Sequence, residues 1–178
     1  MTRFSLLTGL AALALSAAPA LAALPVGATA PDFTTQASLA GAPFDFHLAD
    51  ALKKGPVVLY FFPAAFTSGC TFEAHEFAEA TDAFAKLGAT VIGVSADDIE
   101  TLNKFSVSEC RNKFAVASGS AKVIAAYDVK LPVVDKSNRT SFAIAPDGKI
   151  ISQYSDLSYK GHVAKMMAAV TEWRAAHP

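Results

Sequence analysis

The segment 56–95 constrains this chain more than any other. Pro56-Val-Val-Leu-Tyr-Phe-Phe62 is an unbroken run of apolar β-formers, with proline at its start and Pro63 just past its end. Successive strand side chains point to opposite faces, so a run with no polar position predicts a strand buried on both faces. From Thr71 to Leu87 the period changes. Phe77, Ala80, Phe84 and Leu87 recur at three- and four-residue spacing, which predicts a helix with one apolar face, stopped by Gly88. Ala89-Thr-Val-Ile-Gly-Val-Ser95 then reads as a second buried strand. Strand, helix and strand in this order make a βαβ unit and imply a parallel pair.

The flanking segments extend that unit into an α/β fold of thioredoxin-like type, a central mixed sheet flanked by helices. Ser141-Phe-Ala-Ile-Ala145, Pro146-Asp147-Gly148 and Lys149-Ile-Ile-Ser-Gln153 predict a β-hairpin turning at Asp-Gly. Gly161 to Ala176 predicts a closing amphipathic helix with Val163, Met166, Met167, Val170 and Trp173 as its core face. Before the βαβ unit, residues 24–47 are rich in Pro, Gly, Thr and Ala and predict a loop-rich N-terminal extension with short strands. Leu48 to Lys54 predicts a short helix ended by Gly55-Pro56. After the unit, Asp97-Asp98 can cap a helix running to about Glu109, and Ala121 to Tyr127 predicts another. The stretch 97–139 is an insertion relative to a minimal thioredoxin-like sheet.

The first 22 residues stand apart. Met1-Thr2-Arg3 is a short basic start, Phe4 to Ala18 is an almost uncharged apolar run, and Ala20-Leu21-Ala22 supplies a small-x-small cleavage pattern. The run is shorter than the roughly 20 residues needed to span a bilayer, and Pro19 breaks it. It predicts a cleaved signal peptide, residues 1–22, export to the periplasm, no stable membrane insertion afterwards, and one domain over residues 23–178. Losing Arg3 turns 15 basic against 16 acidic residues into 14 against 16, a net charge of −2. So balanced a chain shows no basic surface for nucleic acid.

Two cysteines remain, Cys70 and Cys110. In an oxidising compartment an even count favours a structural disulfide, and one closing a loop this long could stabilise by roughly 3–4 kcal/mol. The context of Cys70 favours a nucleophile instead. It follows the first buried strand and directly precedes the helix predicted from Thr71. Unpaired N–H groups and the helix dipole favour an anion there and lower a thiol pKa. Pro63 fixes the turn leaving the strand and can shield the sulfur from water. Thr67 can aim its hydroxyl at the sulfur and at an oxygen of a bound substrate, and Gly69 allows close backbone approach. Arg139, just before the hairpin strand, is the candidate cation to hold the thiolate and to stabilise charge on a departing oxygen.

The segment Pro63-Ala-Ala-Phe-Thr67-Ser-Gly-Cys70 resembles the peroxiredoxin active-site pattern Pro-x-x-x-Thr/Ser-x-x-Cys. Gly27-Ala-Thr-Ala-Pro31-Asp32-Phe33 resembles that family's N-terminal signature, and the strands Val57 to Phe62 and Val91 to Ser95 resemble those around its site. Arg139-Thr-Ser-Phe-Ala-Ile-Ala-Pro-Asp-Gly resembles the strand that opens with its active-site arginine. The match covers nearly all of residues 24–178 and is nearest the bacterioferritin-comigratory-protein type. The resemblance implies thiol-dependent reduction of hydrogen peroxide and organic hydroperoxides without a cofactor. It implies Cys70 as peroxidatic cysteine with Pro63, Thr67 and Arg139 around it, a thioredoxin-like or other thiol reductant, and a monomer or weak homodimer. Many members of that type carry the resolving cysteine five residues after the peroxidatic one, where this chain has His75. Other members place it where Cys110 stands, which implies an intramolecular Cys70–Cys110 disulfide in the cycle and local unwinding to form it.

The alternative from another class is an exported thioredoxin-fold structural or binding protein stapled by a Cys70–Cys110 disulfide. A thiol–disulfide oxidoreductase is disfavoured, since no Cys-x-x-Cys occurs. His75 reads as a rim residue. His47, His162 and His177 share no metal-ligand spacing with each other or with the cysteines, and Asp147-Gly148 is a turn rather than a calcium loop.

Overall fold

The structure is a computed structural model and describes residues 23–178; the expected leader lies outside the described residues. In chain order, β1 (Thr34–Leu39) and β2 (Ala42–His47) form an antiparallel hairpin, and α1 (Leu48–Leu52) leads to β3 (Val57–Phe61). Helix α2 (Ser68–Lys86) connects β3 to β4 (Thr90–Ser95). Helix α3 (Ile99–Ser108), β5 (Ala115–Ser118) and α4 (Ala121–Ala126) follow, then the hairpin β6 (Thr140–Ile144) and β7 (Ile150–Ser155), and α5 (His162–Ala176) closes the chain.

The seven strands form one sheet in the order β2-β1-β5-β4-β3-β6-β7. β3 runs parallel to β4, and β4 parallel to β5, while every other neighbouring pair is antiparallel. This is the mixed, thioredoxin-like sheet the sequence predicts. β3 is buried along its whole length, and its alternation supplies two cores. Val57, Leu59 and Phe61 face a layer containing Leu48 and Leu52 of α1 and Ile124 of α4. Val58, Tyr60 and Phe62 face a layer built by α2, α3 and α5, including Phe77, Phe105 and Met166.

That second layer carries the cysteines, and aromatic packing fixes it. Tyr60 stacks on Phe77 with ring centroids 4.3 Å apart, and Phe62 stacks on Phe105 at 5.5 Å. Tyr60 fits because its neighbour in register on β4 is Gly93. A Cβ at position 93 would lie 2.7 Å from the tyrosine ring, closer than packed atoms approach.

Three sequence expectations change. The 97–139 insertion contains β5, which lies inside the sheet between β1 and β4; its four residues, Ala-Val-Ala-Ser, are too short and too alanine-rich to announce a strand. Helix α2 starts at Ser68, earlier than expected, because Thr67 is extended and its carbonyl already accepts from the Thr71 N–H at 2.9 Å. Trp173 is not core. It is half-buried and stacks on His177 near the C-terminus, while Met166 and Val170 fill the interior.

Candidate active site

The strand–helix corner between β3 and α2 is held from three directions. The Ser137 hydroxyl donates to the Phe62 carbonyl at 2.9 Å, where the chain leaves the sheet at Pro63. The Ala65 N–H donates to Asp97 Oδ2 at 2.7 Å, and the Ser95 hydroxyl donates to the same oxygen at 2.8 Å. Asp98, not Asp97, caps α3, accepting from the Thr101 N–H at 2.7 Å. Phe66 takes a left-handed φ of 63°, which costs a non-glycine residue about 1 kcal/mol. Its ring meets the edge of Phe105 at 5.2 Å, which offsets that cost.

Thr67 is the N-cap residue of α2, but its side chain does not cap. The hydroxyl donates to the Ala64 carbonyl at 2.9 Å rather than to the Cys70 sulfur. This leaves the hydroxyl oxygen as an acceptor at the open side of the loop. Cys70 is the third residue of α2, so its N–H is among the donors the helix leaves unpaired. The side chain is only 2% exposed.

Arg139 reaches Cys70 from the other side of β3. Thr140 of β6 pairs with Phe61 in the antiparallel register, which sets the preceding residue beside the strand end that feeds Pro63. The guanidinium then serves three acceptors. Nε donates to the Leu157 carbonyl at 3.0 Å, Nη1 to Glu73 Oε2, and Nη2 to Cys70 Sγ at 3.4 Å. Burial works against its charge, but Glu73 and Cys70 outweigh burial and hold the guanidinium pKa above its ordinary value. Gly69 leaves the space for it: a Cβ there would stand 3.1 Å from Nη2. A sulfur at a helix N-terminus beside a fixed guanidinium is an arrangement suited to a nucleophile.

Comparison with known proteins agrees. The model of the AhpC/TSA family matches residues 26–153. The chain belongs to the AhpC/TSA family. A bcp peroxiredoxin of Helicobacter pylori is 33% identical over 154 residues, 83% of this chain and 98% of that protein. Peroxiredoxin Bcp of Bacillus subtilis is 32% identical over 126 residues, 65% of this chain and 78% of that one. Among solved structures, Peroxidoxin BcpB of Mycobacterium tuberculosis superposes with a TM-score of 0.76 at 31% identity, covering 83% of this chain and 96% of that chain. The protein is thus a Bcp-like member of the peroxiredoxin superfamily, a thiol peroxidase that uses a thiol reductant.

The second cysteine of this AhpC/TSA-family chain is placed differently from the first. Cys110 follows the end of α3, is fully buried, and shares the aromatic layer with Cys70. Both thiols are free. Burial, with Glu109 adding to it, pushes the Cys110 thiol far above its ordinary range. His75 is half-buried and its Nε2 lies 2.9 Å from Glu109 Oε2, which ties α2 to the residue just before Cys110. Directly after Cys110, Arg111 and Asn112 are both left-handed, at φ 50° and 58°.

Two residues that sequence reasoning missed complete the pocket. Glu73 is fully buried and holds Arg139. It stands three residues after Cys70 in the same helix, a spacing that places both on one face and could have pointed to it. His162 is also fully buried, with Nδ1 at 2.9 Å from the Ser141 hydroxyl and 3.6 Å from Glu73 Oε1. Nothing local in the sequence marks it, because the turn after β7 delivers it. The other two histidines lie elsewhere. His47 bridges Asp32 and Asp50 at the surface, and His177 stacks on Trp173.

Proposed function

We propose that this enzyme reduces hydrogen peroxide and organic hydroperoxides through a sulfenic acid on Cys70, resolved by Cys110 and recycled by a thioredoxin-type dithiol. The thiolate attacks one peroxide oxygen and the O–O bond breaks. Sulfur keeps that oxygen as Cys70–SOH, and the other oxygen leaves, takes a proton and departs as water or an alcohol. The Cys110 thiol then condenses with the sulfenic acid to give an S–S bond and water. A dithiol reductant restores both thiols and is itself oxidised to a disulfide.

The observation that carries the first step is the Arg139 Nη2 contact to Cys70 Sγ at 3.4 Å, at the start of α2. A donor so placed stabilises both the thiolate and the negative charge that develops on the departing oxygen. Thr67, with its proton committed to Ala64, offers its oxygen to the incoming peroxide O–H. Phe66, about half exposed in the loop that leads to Cys70, offers apolar surface that supports organic hydroperoxides as substrates.

The role of Cys110 rests on its environment. Cys70 and Cys110 are free thiols buried in one aromatic layer, at the start of α2 and just past the end of α3, so local unwinding of these helix ends would bring the sulfurs together. The leader supports export to the periplasm, and we propose a monomer or weak homodimer there. Peroxide consumption with thioredoxin as reductant tests the cycle. Cys70→Ser is expected to abolish turnover, and Cys110→Ser to allow one turnover and then stall. Full multi-turnover activity in Cys110→Ser would remove Cys110 from the cycle.

A further inference from the structure

Behind the sulfur, Arg139 leads into two buried groups, Glu73 and His162, to which the peroxidase cycle above gives no role. Arg139 sits between two acceptors, Cys70 Sγ and Glu73 Oε2, so any negative charge on Glu73 competes with the sulfur for the same cation. The second carboxyl oxygen, Oε1, is buried and has no hydrogen-bond donor. An ionised carboxylate with an unpaired buried oxygen is costly. The nearest polar atom opposite it is His162 Nδ1, at 3.6 Å.

The tautomer of His162 follows from its other contact. Nε2 lies 3.1 Å from the Asp156 carbonyl, which can only accept, so Nε2 carries the ring proton. Nδ1 of the neutral ring is therefore an acceptor, facing the Ser141 hydroxyl at 2.9 Å and Glu73 Oε1. With the Nδ1 lone pair already accepting from Ser141, the histidine offers Oε1 no donor, and an ionised oxygen there would face a lone pair in a buried site, which favours the neutral acid. The groups around this pair are Arg139 before β6, Cys70 and Glu76 on α2, Tyr60 on β3, Ser141 on β6, Asp156 after β7, and His162 on α5.

We infer that Glu73 is held near neutral pH as a carboxylic acid, its proton on Oε1 facing His162, so that the Arg139 charge is committed to Cys70. His162 is then a positioning residue: it touches neither sulfur nor peroxide and acts through Glu73 and Arg139. Burial, against the pull of Arg139, pushes the Glu73 carboxyl up to about 8. Burial likewise lowers His162 to about 4, so the ring stays neutral and able to accept. As pH rises through that of Glu73, Oε1 loses its proton, and the carboxylate takes the guanidinium from the sulfur and from the departing oxygen.

This inference rests on Cys70 as the nucleophile, and Cys70→Ser separates the two. If that variant keeps its peroxidase activity, the reading of the site fails, whatever Glu73 does. With Cys70 established, infrared spectra of wild type and Glu73→Gln near neutral pH test the proton directly. The wild type is expected to show the carbonyl stretch of a protonated acid, missing from Glu73→Gln. Only ionised carboxylate bands would overturn the inference. The single-turnover rate with hydrogen peroxide gives the second readout. It should fall several-fold in wild type as pH rises through about 8, and Glu73→Gln should lose this alkaline fall. His162→Leu removes the lone pair that opposes a negative charge on Oε1 and should move the fall to lower pH. An alkaline fall unchanged in either variant would overturn the pairing.

Discussion

Replacing Arg139 with methionine keeps much of the side chain's bulk and removes its charge. The guanidinium contacts Sγ at 3.4 Å, and both groups are buried. At an effective dielectric constant near 20 the attraction between unit charges at that distance is about 5 kcal/mol, before the cost of desolvating them. Measured losses for a single preorganised donor to a developing anion are about 2.7–4 kcal/mol, or roughly 10²–10³ in rate. Arg139→Met should therefore slow the single-turnover reaction with hydrogen peroxide by about 10²–10³-fold. Arg139→Lys retains the charge but cannot reach Leu157, Glu73 and Cys70 together, as three guanidinium nitrogens do, and should fall in between. Stopped-flow competition for peroxide measures both, with a urea unfolding midpoint to show that the fold survives. A folded Arg139→Met protein reacting within about fivefold of wild type would refute the electrostatic argument.

Three other outcomes follow from the same structure. Glu109→Gln and His75→Ala each break the tie between α2 and the residue before Cys110; for a half-buried pair worth about 1 kcal/mol, disulfide formation after peroxide should speed up about fivefold, read on quenched non-reducing gels. Phe77→Ala empties the space under Tyr60 and should cost about 3–5 kcal/mol in denaturant unfolding, with Gly93→Ala also destabilising because Tyr60 must move. Stability should fall on both sides of a maximum at mildly acid pH. On the acid side, His162 is neutral when folded and must not gain a proton, so its contribution is complete above the unfolded value of 6.5 and is lost as pH falls toward about 4. On the alkaline side, Glu73 binds its proton more tightly when folded, so stability declines as pH rises from the unfolded value of 4.5 to about 8. Thermal unfolding against pH checks both limbs; a flat acid limb in His162→Leu identifies the histidine.

The elements with strong local periodicity were legible in the sequence. β3, α2 and β4 carry uninterrupted apolar runs or a clear helical face, and the β6–β7 hairpin carries its Asp-Gly turn. β5 was not legible, because four small residues become a strand only when β4 and β1 supply partners on either side. The pocket divides the same way. Pro63, Thr67 and Cys70 are adjacent in sequence, and Arg139 could be placed because β6 had to pair with β3. Glu73 was within reach through helical spacing. His162 was not, since its place depends on how the chain turns after β7. The Thr67 hydroxyl shows a finer limit: the sequence brings it near Cys70, but only the folded loop reveals that its proton goes to Ala64.

Cys70 Sγ is the proposed acceptor of the peroxide oxygen. The direct measurement is mass spectrometry of Cys110→Ser protein after one equivalent of hydrogen peroxide in the presence of dimedone. A single adduct is expected on the peptide carrying Cys70, formed faster than free cysteine would react. Absence of that adduct from folded protein would contradict that role for Cys70.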